Sequence, residues 1–115
     1  FWHVGRDLPA GHPLAEYMAA NVWPSEVVDF REIMSALFAA FEKTGARVLE
    51  AIALHLGRPR DFFAASIADG NSVMRLLHYP PLAEGAPEGA IRAAGHEDIN
   101  TITLLLGAEE AGLEL

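Results

Sequence analysis

The chain has 115 residues, 51% of them apolar, which excludes a disordered polypeptide and allows one compact domain with its own core. Eight Lys and Arg against sixteen Asp and Glu leave a net charge of −8, so the chain repels phosphate backbones and nucleic acid is not an expected partner. There is no cysteine, which excludes disulfides, zinc fingers, iron–sulfur clusters and thiol nucleophiles, and no apolar run approaches the roughly 18 residues of a membrane span.

Phe1-Trp2-His3 shows no basic segment followed by an apolar one, so a soluble cytoplasmic protein is expected. The chain begins with Phe1 rather than Met and stops in Gly112-Leu113-Glu114-Leu115, whose alternation reads as a strand just beginning. Both ends read as cut from a longer polypeptide.

Residues 1–22, with Gly5, Pro9, Gly11 and Pro13, read as an extended leading segment with one short helical turn near Leu14–Ala20. Trp23-Pro24-Ser25 follows. Ser25 is a good N-cap, and Glu26 and Asp29 suit the positive end of a helix dipole. Apolar residues then recur at Phe30, Ile33, Met34, Leu37, Phe38, Phe41, Val48, Leu49, Ile52 and Leu56, which predicts one long helix from about 26 to 56. Gly57 ends it and Pro59 follows, the usual C-terminal order, while Gly45 in its middle marks close packing or a bend.

A short helix fits Pro59 to Ala68, with Phe62, Phe63 and Ile67 inward, and Asp69-Gly70-Asn71-Ser72 reads as a turn. Beyond it the period changes to two. Val73–Tyr79 reads as a strand ended by Pro80-Pro81, and residues 82–90 as a Gly/Pro/Glu loop. Ile91–Gly95 pairs briefly, Ile99–Leu106 is a β-branched apolar strand closed by Gly107, and Glu109–Gly112 turns into a final strand. Helices first and antiparallel strands second make an α+β arrangement, one domain with a helical region over 1–72 and strands over 73–115.

The chemistry concentrates in Gly95-His96-Glu97-Asp98. On a strand, residues two apart point to one face with Cα atoms roughly 6.5 Å apart, so His96 and Asp98 project together and Glu97 points away. An imidazole and a carboxylate on one face supply two of the three ligands of a two-His-one-carboxylate site for a divalent metal, a site that leaves positions open. The bland alternative is a His and an Asp bonded to each other at a strand edge. His3 and His12 read as solvated, His55 as a cation at the helix C-terminus, and His78 as a sheet-surface residue rather than a third ligand.

The run from Gly95-His96-Glu97-Asp98 through Thr103-Leu104-Leu105-Leu106 to Gly112-Leu113-Glu114-Leu115 resembles the non-haem iron oxygenases of the isopenicillin N synthase and 2-oxoglutarate-dependent dioxygenase superfamily. Arg75-Leu76-Leu77-His78-Tyr79-Pro80-Pro81 is similar to that family's strand ending in Tyr-Pro, Asn21-Val22-Trp23-Pro24 to its approach to the long helix, and His3-Val4-Gly5-Arg6 to the segment before it in bacterial members. The four motifs come in the family order and cover nearly the whole chain.

The resemblance implies a long helix packed on the first strands of a double-stranded β-helix, or jelly-roll, incomplete in this chain. It implies His96 and Asp98 as iron ligands and Tyr79 as a contact to a carboxylate of the co-substrate or substrate. The implied cofactors are Fe(II) and 2-oxoglutarate, and the implied partners are dioxygen and a small-molecule substrate. The second metal His and the Arg-x-Ser that grips 2-oxoglutarate are expected beyond Leu115, in the remainder of the polypeptide. Leu77 and His78 depart from the Asn and the Arg that particular members carry, so no substrate is assigned. Two other readings remain beside it: an oxidase of the same superfamily that uses no 2-oxoglutarate, and a non-catalytic helix-plus-sheet interaction domain.

Overall fold

The structure, a computed structural model, describes residues 1–81, 87, 89–91 and 93–107. It divides into two units, Phe1–Pro80 and Pro81–Leu115.

Among the described residues, the regular elements all lie in the first unit: strand β1 (Trp2–Gly5), helix α1 (Phe30–His55), helix α2 (Ala64–Ile67) and strand β2 (Val73–Leu76). The leading segment is thus a strand over part of its length. β1 and β2 pair antiparallel, with Trp2 opposite Leu76, His3 opposite Arg75, Val4 opposite Met74 and Gly5 opposite Val73. Because side chains alternate across a strand, Trp2, Val4, Met74 and Leu76 share one face, and His3, Val73 and Arg75 share the other. The first face is covered: Val4 is 1% exposed and α1 lies against β1. Phe30, at the start of α1, meets the Trp2 ring edge-on at 5.8 Å and the Trp23 ring at 6.3 Å. The second face is exposed.

α1 begins at Phe30, four residues later than the sequence predicts, and Ser25 does not cap it. The N-cap is Asp29, in the left-handed region at φ 60°, with no side-chain cap bond. Glu26, Val27, Val28 and Asp29 are all exposed, so a helical turn there has no inward face to bury. Packing sets the start of the helix at Phe30, and the dipole preference of two acidic residues does not outweigh it. The buried face is Gly45, Leu49 and Ala53, three positions spaced by four. Gly45 therefore marks close packing. Ile33, Val48 and Leu56, expected inward, are exposed.

The C-terminus of α1 ends as expected at Gly57, which takes φ 67°. The Gly57 N–H donates to Leu54 O at 3.0 Å and the Arg58 N–H to Ala53 O at 2.8 Å, satisfying two carbonyls of the last turn. The short helix is confined to Ala64–Ile67 after a turn over residues 60–63. Phe62, expected inward, is 50% exposed and packs edge-on against Phe63 at 4.9 Å. The expected turn near Leu14 is present, with the Met18 N–H bonded to Leu14 O at 3.1 Å.

Two side chains lock the unit. Asn21 faces the backbone of Gly5: it accepts from the Gly5 N–H at 2.8 Å and donates to Gly5 O at 2.9 Å, and to Asp7 Oδ1 at 2.7 Å. Arg6, the next residue, forms an ion pair with Glu42 of α1 and donates to Gly70 O at 3.2 Å and Ile67 O at 3.5 Å. His12, expected to be solvated, is half-buried. Its Nδ1 accepts from the Leu14 N–H at 3.2 Å and its Nε2 lies 3.9 Å from Asp69.

β2 spans Val73–Leu76 rather than running on to Tyr79. In the second unit, the expected pairing at Ile91–Gly95 and the expected strand Ile99–Leu106 form no backbone ladder among the described residues. The chain bends at Asn100 and Thr101, and the Thr103 hydroxyl donates to Asp98 Oδ2. Five residues of straight strand span about 17 Å, farther than an Asp and a Thr side chain reach together, so that hydrogen bond is incompatible with an extended run from 98 to 103. Past the bend the period-two pattern persists, with Ile102 and Leu104 half-buried and Thr101, Thr103 and Leu105 exposed. The hairpin at Glu109–Gly112 and the final strand lie outside the described residues.

Candidate metal centre

His96 and Asp98 sit on irregular backbone, yet their side chains meet: His96 Nε2 is 3.6 Å from Asp98 Oδ1. His96 Nδ1 lies 2.8 Å from Ala94 O. A carbonyl oxygen only accepts, so Nδ1 carries a hydrogen, and in the neutral ring Nε2 then presents its lone pair toward Asp98. An imidazole held this way, with one nitrogen on a backbone carbonyl and the other open, is arranged as metal-binding histidines are.

Asp98 is positioned in turn. Its Oδ2 accepts from the Thr103 hydroxyl, whose oxygen accepts from Asn100 Nδ2 at 3.4 Å, which leaves Oδ1 turned to the histidine. Both side chains are exposed, at 68% for His96 and 47% for Asp98, so the pair is open to an incoming ion. Two ligands about 2.1 Å from one ion and at right angles to each other lie about 3.0 Å apart, so a 3.6 Å separation closes with a small rotamer adjustment. One imidazole nitrogen and one carboxylate oxygen are a donor set that divalent iron accepts. Among the described residues, no group of three His, Cys, Asp or Glu side chains assembles, so these two ligands stand without a third.

Tyr79, singled out for a carboxylate contact, belongs to the other unit, three residues past the end of β2, and is 44% exposed. Thr103 and the Ala94 carbonyl have no counterpart in the sequence expectations. Thr103 stands there only as part of the Thr103-Leu104-Leu105-Leu106 run, with no role beside Asp98. His3 was expected in solvent, but it accepts from Arg75 Nε at 2.8 Å across the β1–β2 pair.

No protein-family model matches the chain. The chain is 33% identical to the 2-oxoglutarate-Fe(II) type oxidoreductase hxnY of Emericella nidulans, over 98% of this chain and 35% of that protein. It is 31% identical to the 2-oxoglutarate-dependent dioxygenase htyE of Aspergillus rugulosus, over 83% of this chain and 30% of that protein. Among solved structures, it matches the crystal structure of a 2OG-Fe(II) oxygenase family protein from Caulobacter crescentus with a TM-score of 0.68 and 53% identity, covering 70% of this chain and 27% of that one. These likenesses support the 2-oxoglutarate-Fe(II) oxygenase superfamily for this chain. It spans about a third of the length of the curated relatives it matches. Among the described residues, no helix is long and apolar enough to cross a membrane.

Proposed function

We propose that the complete protein is a non-haem Fe(II) oxygenase that uses 2-oxoglutarate and dioxygen to oxidise a small molecule, and that the present chain is part of it. The observation that carries this reading is the convergence of His96 Nε2 and Asp98 Oδ1 to 3.6 Å, with the far nitrogen of the imidazole held by a backbone carbonyl. In this reading His96 and Asp98 hold the iron, a third ligand comes from outside the described residues, and Tyr79 meets a carboxylate of the co-substrate. Bound there, the iron supplies the activation of dioxygen that no side chain provides.

The chain's own contribution is orientation. The Ala94 carbonyl fixes the tautomer of His96 and the Thr103 hydroxyl fixes the rotamer of Asp98, so both donors are set before the ion arrives. The relatives that match are named as 2-oxoglutarate oxidoreductases and dioxygenases, which supports the co-substrate. The segment beyond β2 would then belong to a double-stranded β-helix in the complete protein.

The test is an anaerobic Fe(II) titration of the complete protein and three variants, read as iron bound per chain. His96→Ala and Asp98→Ala should each lose the metal while circular dichroism is unchanged. Glu97→Ala should bind as the parent does. Retention of iron by both His96→Ala and Asp98→Ala defeats the reading and leaves the helix-plus-sheet interaction domain in its place.

A further inference from the structure

The turn that leads from α2 into β2 carries a reactive pair that the iron reading does not use. Asp69 is followed there by Gly70, and Asn71 and Ser72 complete the connection. The Asp69 side chain is 66% exposed and, among the described residues, its carboxylate accepts no hydrogen bond. His12 Nε2 stands 3.9 Å from Oδ1, beyond hydrogen-bond reach. Gly70 has no Cβ to shield its nitrogen, which is held by a single 3.2 Å bond to Ile67 O. A free aspartyl carboxyl beside an unshielded glycyl nitrogen is the arrangement in which a side chain closes on its own backbone.

Gly70 is also where Arg6 takes hold. Arg6 Nε donates to Gly70 O at 3.2 Å, and the same guanidinium reaches Ile67 O at 3.5 Å while it pairs with Glu42 of α1. Asp69 thus lies between the two carbonyls that tie the end of α2 to β1 and α1. A change in main-chain length at Asp69 acts directly on that tie.

We propose that Asp69-Gly70 is a site of spontaneous covalent isomerisation, and that the product releases Gly70 from Arg6. The Gly70 nitrogen bonds to Asp69 Cγ and one Cγ–O bond breaks. The departing oxygen leaves as water, with the amide hydrogen and the proton of the carboxyl group. Water then reopens the five-membered imide. Addition at the original main-chain carbonyl leaves the peptide running through Cγ, with the old main-chain carboxyl as the side group. One water leaves and one enters, so mass and oxidation state are unchanged. The main chain gains one carbon between residues 69 and 70, a lengthening of about 1.5 Å. Added to the 3.2 Å bond from Arg6, that displacement exceeds hydrogen-bond range.

The test is ageing of the complete protein in warm neutral buffer, followed by tryptic mapping. Cleavage after Arg60 and Arg75 releases one peptide that holds both Asp61 and Asp69, so Asp61, which precedes the bulky Phe62, is an internal control. Asp69 should convert to a form of the same mass and different retention, methylated by protein L-isoaspartate O-methyltransferase, while Asp61 stays normal. Gly70→Ala should stop the conversion and keep the fold, because the added Cβ meets Ile67 O at 3.4 Å and Ile67 Cα at 3.7 Å, ordinary contacts. The converted fraction, separated from the rest, should unfold at a lower urea concentration. In Arg6→Ala, conversion should leave the midpoint where it is, since the tie is already gone. A normal Asp69 after ageing, equal conversion at Asp61 or in Gly70→Ala, a converted parent with an unchanged midpoint, or a loss of parental size in Arg6→Ala overturns the proposal.

Discussion

Arg6, one residue past β1, reaches Glu42 in the middle of α1 and donates in the same geometry to the Gly70 and Ile67 carbonyls. Strand, long helix and the end of the short helix are thus tied by one guanidinium. Its side chain is 22% exposed and that of Glu42 31%, so the pair is neither fully solvated nor fully buried. Arg6→Ala leaves two carbonyls and a carboxylate without their donor. It should destabilise by about 2–3 kcal/mol, read from the urea midpoint, with Arg6→Lys recovering part of the loss. A double-mutant cycle with Glu42→Gln should give a coupling of about 1 kcal/mol, and no coupling would mean that the carbonyls alone hold Arg6.

Leu49 is 4% exposed, while Leu54, five residues on in the same helix, is 52% exposed. Leu49→Ala should cost about 2–4 kcal/mol and Leu54→Ala less than about 1 kcal/mol. Ala53, with no exposed surface, should resist enlargement: Ala53→Leu overpacks the contact and should cost about 1–3 kcal/mol. Equal effects at Leu49 and Leu54 in thermal or urea unfolding would show that the inward face of α1 is assigned to the wrong phase.

Asp29 holds a left-handed backbone that an L residue adopts at a cost, and its side chain makes no cap bond in return. Asp29→Gly should raise stability by a few tenths to about 1 kcal/mol, whereas Asp29→Val, β-branched at positive φ, should lower it by about 1–2 kcal/mol. Melting temperatures of the two variants should fall on opposite sides of the parent.

Thr103 meets Asp98 but no ion directly. If Asp98 ligates iron, Thr103→Val keeps the volume, removes the donor, and should lower Fe(II) affinity by about tenfold, whereas Thr103→Ser should largely restore it. The same affinity in the parent, Thr103→Val and Thr103→Ser would mean that the hydroxyl plays no part in setting the carboxylate.

What could be read from the sequence follows the range of each interaction. The stop of α1 is written locally, in Gly57 and in the Pro59 that follows, and it stands where expected. Its start is not, because Ser25, Glu26 and Asp29 satisfy every local preference for a helix that has nothing to pack on before Phe30. The spacing of His96 and Asp98 brings them together as a pair, though on irregular backbone rather than on a strand. The bend itself was hidden: Asn100-Thr101 lies in a run of strand-forming residues, and only the hydrogen bond from Thr103 back to Asp98 shows that the chain turns there. The pairing of His3 with Arg75 is set by register between strands 72 residues apart, which no local pattern encodes.

The amide of Asn21 occupies both main-chain polar groups of Gly5, the groups a neighbouring strand would have to use. A primary amide mimics one peptide unit and then ends, with no chain to carry the ladder onward. β1 therefore has a chemical terminus on that side. Another molecule adding a strand at Gly5 must first displace an amide that is already satisfied, so the border of the small sheet is guarded by one residue rather than by a covering element.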